Sequence, residues 1–112
     1  MSFEIITSDY FDAEAKALAK RYKSFKKDLI EFREELEKTP LQGTEIAPNI
    51  RKIRMAITTK GRGKSGGARI ITYNALVTEQ EGKIYLLLIY DKADASSVKM
   101  NVVKQIVKEL IG

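Results

Sequence analysis

The sequence has no cysteine and no histidine among its 112 residues, no tryptophan, and only two prolines. Without cysteine it has no disulfide, no thiolate nucleophile and no thiolate zinc site. Without histidine it lacks a Ser-His-Asp triad, a histidine metal ligand and a histidine acid–base pair. Any catalysis therefore depends on lysine, arginine, tyrosine, carboxylate, serine or backbone groups. We predict no metal site and no cofactor.

Long apolar runs are also missing. The longest, residues 84–90, is suited to a buried strand, whereas a membrane span needs about 20 residues. The first residues lack the basic start of an export signal. We therefore predict a cytoplasmic protein that binds no membrane. Residues 1–112 are expected to form a single domain, because a chain of this length accommodates one core.

Acidic residues are scarce in one half of the chain. Residues 1–50 carry 8 basic and 10 acidic side chains, whereas residues 51–112 carry 12 basic and 5 acidic ones. No carboxylate accompanies the seven basic residues between positions 51 and 69, which are Arg51, Lys52, Arg54, Lys60, Arg62, Lys64 and Arg69. This stripe is either a solvated hairpin loop or a surface for a polyanion.

The amino-terminal part predicts a strand followed by helix. Residues 3–7 are apolar and β-branched, and Ser8 or Asp9 is suited to cap a helix. Residues 9–38 lack glycine and proline and carry an apolar stripe at alternating steps of four and three. The stripe is compatible with one long helix, or with two helices that fold back around Lys23 and Ser24.

The remaining elements predict an α+β fold. Pro40, Gly43 and Pro48 indicate a loop, and strands are expected at residues 50–57, 68–77 and 83–90, with a turn at 79–82. Ser96 or Ser97 is predicted to cap the last helix. We expect a small antiparallel sheet packed on an N-terminal helix pair and a C-terminal helix, in the order β-α-α-β-β-β-α, with the helices covering one face.

Two polar segments are not interpreted as catalytic or ligand sites. Residues 61–66 match G-x-G-x-x-G, but a glycine run that holds a dinucleotide opens a helix, and these glycines lead into a strand. We interpret residues 58–67 as a mobile, cationic hairpin tip. Asp91 and Asp94 make a poor metal site and are interpreted as a solvated turn.

The open face of the sheet is the best candidate site. Lys52 and Arg54 lie two residues apart on one strand, so they share a face. Arg69 begins the neighbouring strand, Tyr73 lies four residues along it, and Lys92 follows the third strand. Such a cluster can grip RNA phosphates and stack a base. It can also stabilise the charge of a phosphorane, and a lysine among other cations can act as a general base.

Three segments resemble the RelE/ParE toxin superfamily. They are I-R-K-I-R at residues 50–54, G-G-A-R-I-I-T-Y at residues 66–73 and I-Y-L-L-L-I-Y-D-K at residues 84–92. The likeness is closest to the HigB-like branch, whose hairpin loop is long and rich in glycine and lysine. The resemblance implies a RelE-like domain that acts as a ribosome-dependent, metal-independent mRNA endonuclease. It also implies a type II toxin–antitoxin module and a small antitoxin protein as partner.

The resemblance assigns roles to some residues. Lys52 matches a strand lysine implicated in phosphate contact and proton transfer, Arg54 stands where many members have a second lysine, and Arg69 matches the arginine that stabilises the transition state. Two positions depart from the family: Ala93 stands where many members have an arginine, and Lys99 lies near the place of a tyrosine that some members use. The general base stays open among Lys52, Lys60, Lys64, Lys92 and Lys99.

These observations yield one leading hypothesis and two rivals. An mRNA interferase cleaving by 2′-hydroxyl attack is expected to use the catalytic residues Lys52, Arg54, Arg69 and Lys92. It is expected to bind mRNA or ribosomal RNA through Arg51, Lys60, Arg62, Lys64, Tyr73 and Lys99. The rivals are a ParE-like inhibitor of DNA gyrase, which cleaves nothing, and a non-catalytic RNA-binding module.

Overall fold

The computed structural model describes residues 2–76, 78 and 81–112, and its strands join one five-stranded sheet. The elements in chain order are β1 (Ser2–Thr7), α1 (Asp9–Arg21), α2 (Phe25–Lys38), β2 (Thr44–Ala47), β3 (Ile50–Met55), a 3-10 turn (Thr58–Lys60), β4 (Ala68–Leu76), β5 (Glu81–Asp91) and α3 (Met100–Ile111). The predicted α+β class is confirmed. The predicted strand end at Val77 and the turn residues Glu79 and Gln80 lie outside the described residues.

The sheet is mixed, so the prediction of an antiparallel sheet was wrong at one edge. The strand order is β1-β5-β4-β3-β2, and β1 runs parallel to β5 while the other pairs are antiparallel. Because the helix pair separates β1 from the later strands, the first strand can join the far edge beside the last one. Residues 44–47, which were assigned to a loop, form the short edge strand β2.

Helices cover both faces of the sheet, which corrects the prediction that they cover only one. The first core lies on the side of α1 and α2 and includes Phe11, Phe25 and Leu36 packed against alternate sheet residues. The second core contains Val103 and Ile106 of α3, packed on the other face. Both faces of the central strands are therefore largely buried, which explains the nearly continuous apolar sequence of β5.

The helix boundaries decide two of the sequence predictions. The helix is interrupted between Arg21 and Phe25, so the two-helix alternative is correct. Ser8 caps α1 by accepting a hydrogen bond from the Phe11 amide. The predicted cap at Ser96 or Ser97 is wrong, because α3 begins at Met100 and Lys99 occupies its cap position without a side-chain cap bond. Within the described ranges, no helix has the length and apolarity to cross a membrane.

An irregularity in β5 decides where its aromatic residues point. Ile71 of β4 pairs with Leu88, whereas the next residue, Thr72, pairs with Leu86. Leu87 is therefore an extra residue that interrupts the alternation of the strand. As a result Tyr85 and Tyr90, which lie five positions apart, both belong to the core on the α3 side.

Candidate nucleic-acid interface

Five basic residues from four parts of the chain line one cleft of about 440 Å³. They come from β3, the loop after it, β4 and the segment after β5, and are Lys52, Arg54, Lys64, Arg69 and Lys92. We call this the cationic cleft. The other residues of its described lining are uncharged: Gln42, Gly43, Thr44, Ile53 and Ser96. Among the described residues, then, no carboxylate lines the cleft.

The floor of the cleft depends on β3 and on one glycine. Lys52 and Arg54 point to the same face because they are two residues apart on the strand. Gly43 crosses next to that strand with a φ of +75°, and a Cβ atom there would lie 2.3 Å from the Lys52 carbonyl oxygen. Only glycine combines this close approach with a positive φ. Gly43 therefore allows the segment that forms this wall of the cleft to lie close to Lys52.

Arg69 is buried at the base of the cleft, with 6% of its surface exposed. Its Nη1 donates to the carbonyl oxygens of Lys64 at 3.1 Å and Ala68 at 3.2 Å, and its Nη2 donates to that of Ser65 at 2.9 Å. A guanidinium has five N–H groups, so Nε and one hydrogen of Nη2 are not used by these bonds. Arg69 thus fixes the end of the loop and retains donors for a ligand.

The start of the same loop is fixed by a buried carboxylate of α2. Asp28 accepts hydrogen bonds from the Thr58 amide at 2.9 Å, the Thr58 hydroxyl at 2.6 Å and the Ser24 hydroxyl at 2.7 Å. Burial disfavours the charge of Asp28, but the bonds from Thr58 and Ser24 outweigh it and hold its pKa below the ordinary value. The structure thus anchors both ends of the predicted hairpin tip at residues 58–67, by Asp28 at its start and by Arg69 at its end.

A second buried carboxylate holds Lys60. Asp91 at the end of β5 has a side chain with no exposed surface, and its Oδ1 lies 2.5 Å from the Lys60 ammonium. Its Oδ2 accepts a hydrogen bond from the Tyr22 hydroxyl. Burial opposes the charge of Asp91, but the bonds from Lys60 and Tyr22 dominate and lower its pKa to about 2.

The contacts of Asp91 correct two predictions: the interpretation of Asp91 itself and the RNA-binding role of Lys60. The interpretation of Asp91 as part of a solvated turn was wrong, although Asp94 is exposed and forms a 2.8 Å pair with Arg21. Lys60 was predicted to bind RNA, but its side chain is only 10% exposed, and its ammonium is paired with Asp91, outside the cleft lining. The sequence does not show this pairing because its partners are 31 residues apart.

The other predicted RNA-binding residues are dispersed. Arg62 and Lys99 are exposed but are not part of the cleft lining. Arg51 points to the opposite face of β3 from Lys52 and lines a separate depression, to which Tyr73 also contributes. The Tyr73 ring lies 6.2 Å from that of Tyr85, and both pack against the core under α3. Tyr73 is therefore not placed to stack a base in the cationic cleft.

Lys64 has contacts on both sides of the loop. It lines the cationic cleft and also lies 3.8 Å from Glu35 of α2, with more than half of each side chain exposed. Solvent screens an exposed pair of this kind, and its contribution to stability is small. Lys64 is therefore free to exchange Glu35 for a phosphate.

One residue beside the cleft was missed. Arg54, Arg69 and Tyr90 lie opposite one another on β3, β4 and β5, as a row across the sheet. The Tyr90 hydroxyl is buried and has no hydrogen-bond partner among the described residues. The sequence signal was present in the spacing Tyr90–x–Lys92, but the irregularity in β5 hides which face this tyrosine occupies.

This arrangement can bind and neutralise phosphates. The charges of Lys52, Arg54 and Lys92 have no carboxylate within ion-pair distance among the described residues. No protein-family model matches this chain. The superfamily resemblance therefore stays a prediction from the residues.

Proposed function

We propose that this chain is the toxin of a type II toxin–antitoxin module, with a RelE-like domain, and that it cleaves mRNA on the ribosome. The observation that carries the proposal is the cationic cleft, in which five basic residues meet without a carboxylate among the described lining residues. Four of them, Lys52, Arg54, Arg69 and Lys92, are the residues for which the sequence predicted a catalytic role. The proposed partners are mRNA, the ribosome and an antitoxin protein.

The proposed reaction needs only RNA and protein side chains. The 2′-oxygen loses its proton to a base and attacks the adjacent phosphorus, and the bond to the 5′-oxygen breaks as that oxygen takes up a proton. The products are a 2′,3′-cyclic phosphate and a 5′-hydroxyl. Extra negative charge develops on the phosphate oxygens during attack, and preorganised cations stabilise it most effectively.

The geometry supports distinct roles for the cations. Arg69 is held by three backbone carbonyls, so its guanidinium needs little reorganisation when a phosphate binds. Lys52 is half-buried beside it on β3 and is our first choice for proton transfer. Lys92 and Lys64 are exposed and suited to contact flanking phosphates. We drop Lys60 from the candidate bases because it is paired with Asp91.

A non-catalytic RNA-binding module is the second candidate function. The commitment of Arg69 to loop carbonyls favours it, because those bonds give the arginine a structural role that does not require catalysis. A cationic cleft is sufficient for phosphate binding. The two candidates differ in whether translated mRNA is cut.

Primer extension on mRNA from a translating system separates these functions. We compare the wild-type chain with Lys52→Met and, as a control, Arg33→Met, which removes an exposed cation of α2 that is not part of the described cleft lining. The proposal predicts cleavage within translated codons, a loss of about 100-fold or more for Lys52→Met, and near wild-type cleavage for Arg33→Met.

Each other outcome has a defined meaning. Uncut mRNA with salt-sensitive RNA affinity supports the binding module. Uncut mRNA with inhibited DNA supercoiling supports a gyrase inhibitor. Equal cleavage by the wild type and Lys52→Met contradicts the role assigned to Lys52.

A further inference from the structure

The row formed by Arg54, Arg69 and Tyr90 contains two unfavourable features in the free protein. The first is that Arg54 and Arg69 are directly opposite on adjacent strands. Side chains in such a pair have Cβ atoms about 5 Å apart, and like charges there are destabilising. Neither arginine has a carboxylate within ion-pair distance among the described residues.

The second feature is the hydroxyl of Tyr90. Tyr90 lies opposite Arg69 on β5, and its oxygen is buried without a partner in the described part of the chain. A buried hydroxyl without a hydrogen bond is destabilising, so such groups are rare in folded proteins. Burial raises the pKa of this phenol, and the nearby charge of Arg69 partly offsets the rise. The hydroxyl is therefore a protonated donor close to a cation.

Both features are relieved by the same kind of ligand. A phosphate oxygen neutralises opposed guanidinium groups and also accepts a hydrogen bond from a phenol. A phosphate can reach Arg69 through the cleft, because Lys92 and Ser96, which line the cleft with it, are exposed. Tyr90 packs against the core under α3, and its pairing with Arg69, which lines the cleft, puts it next to the cleft.

We propose that the row Arg54, Arg69 and Tyr90 is a phosphate subsite in which the Tyr90 hydroxyl donates a hydrogen bond to the phosphate neutralised by the two arginines. The ligand is a phosphodiester group of RNA. That identity rests on the proposed function, whereas the subsite itself requires only an anion with phosphate chemistry. Tyr90 then contacts the substrate and is an additional binding residue of the cleft.

The test uses Tyr90→Phe, which removes only the hydroxyl, and Tyr85→Phe as its matched control. Tyr85 lies on the same strand and in the same core but outside the row. We measure the thermal midpoint of each variant in chloride and in inorganic phosphate at equal ionic strength. We also measure the affinity for a 2′-O-methyl RNA oligonucleotide, which cannot be cleaved by 2′-oxygen attack.

The subsite predicts opposite effects on stability and binding. Loss of an unpartnered buried hydroxyl leaves the midpoint of Tyr90→Phe in chloride unchanged or raises it by roughly 2–5 °C. The same change removes most of the stabilisation by phosphate and weakens RNA binding by about 10- to 100-fold. Tyr85→Phe keeps both ligand effects at the wild-type level.

The outcomes that overturn the subsite are equally defined. A lower midpoint for Tyr90→Phe in chloride, with wild-type responses to phosphate and RNA, shows that the hydroxyl has a structural role only. A wild-type chain that responds to neither phosphate nor the RNA also overturns it. If phosphate stabilises the wild type but not Tyr90→Phe and mRNA stays uncut, the subsite stands and the proposed nuclease function fails.

Discussion

The loop between β3 and β4 has basic residues at both ends, and the two ends differ in how that positive charge is compensated. At its start, the half-buried Lys60 is paired with the buried carboxylate of Asp91, which also accepts a hydrogen bond from Tyr22. At its other end, the cationic cleft gathers basic side chains beside Arg69 without a carboxylate in its described lining. The first arrangement is complete without a ligand, whereas the second leaves all its cations but Lys64 without a carboxylate partner among the described residues. The comparison separates cations that stabilise the fold from cations that are positioned for a polyanion.

The largest expected effect on stability comes from Asp91→Ala. The substitution removes the only described acidic partner of Lys60, whose side chain is only 10% exposed, so we expect a loss of about 3 kcal/mol in the free energy of unfolding. Chemical denaturation measures it. The matched control is Asp94→Ala, three residues away, whose pair with Arg21 is about half exposed and whose loss is expected to leave the denaturation midpoint near that of the wild type. Equal losses for both variants contradict the distinction between a buried and an exposed pair.

A smaller loss of stability is expected at low pH. The pKa of Asp91 is lowered to about 2 by Lys60 and Tyr22 in spite of burial, and that of Asp28 is lowered by Thr58 and Ser24. Groups with lowered pKa stabilise the fold above their ordinary pKa and lose that contribution as pH falls toward the folded value. We expect Asp91 to contribute about 2 kcal/mol that disappears between about pH 4 and pH 2.

Denaturation at stepped pH values tests this dependence. Asp91→Asn is expected to flatten part of the acid limb, whereas Asp94→Asn, with its exposed partner, is expected to follow the wild type closely. An unchanged acid limb in Asp91→Asn shows that the carboxylate of Asp91 does not carry the effect.

The smallest expected effect has the opposite sign. Arg54→Met removes one of two opposed like charges in the cleft, so we expect the free energy of unfolding to rise by up to about 0.5 kcal/mol. Arg33→Met on the exposed surface of α2 is the control, and it is expected to produce no rise. A clear loss of stability in Arg54→Met means that this arginine has a structural partner, and it removes the contrast between the two ends of the loop.

Much of the fold could be predicted from local sequence patterns. The cap at Ser8, the apolar stripe of the helix pair and the alternation of β3 are properties of neighbouring residues, so they are readable from the chain. Contacts between residues that are far apart in the sequence cannot be predicted from such local patterns. The parallel position of β1, the opposite placement of α3 and the extra residue Leu87 depend on tertiary packing.

The candidate site likewise has features that the sequence indicates and features that depend on tertiary contacts. The meeting of Lys52, Arg54, Arg69 and Lys92 follows from strand alternation and hairpin order, which the sequence indicates. The pairing of Lys60 with Asp91 and the position of Tyr90 do not, because each depends on a contact between distant segments. Charge counts along the chain identified a basic stripe but did not separate its paired members from its unpaired ones.

The salt dependence of RNA affinity tests the central claim most directly. Each phosphate contact that is lost on single-stranded RNA reduces the slope of log K against log salt by about 0.7. With a 2′-O-methyl RNA, the account predicts this reduction for Lys52→Met and for Lys92→Met, which remove cleft cations. It predicts a wild-type slope for Arg21→Met, which removes an exposed cation already paired with Asp94. Equal slopes for all variants, or a reduction confined to Arg21→Met, contradict the assignment of the cationic cleft as the RNA-binding surface.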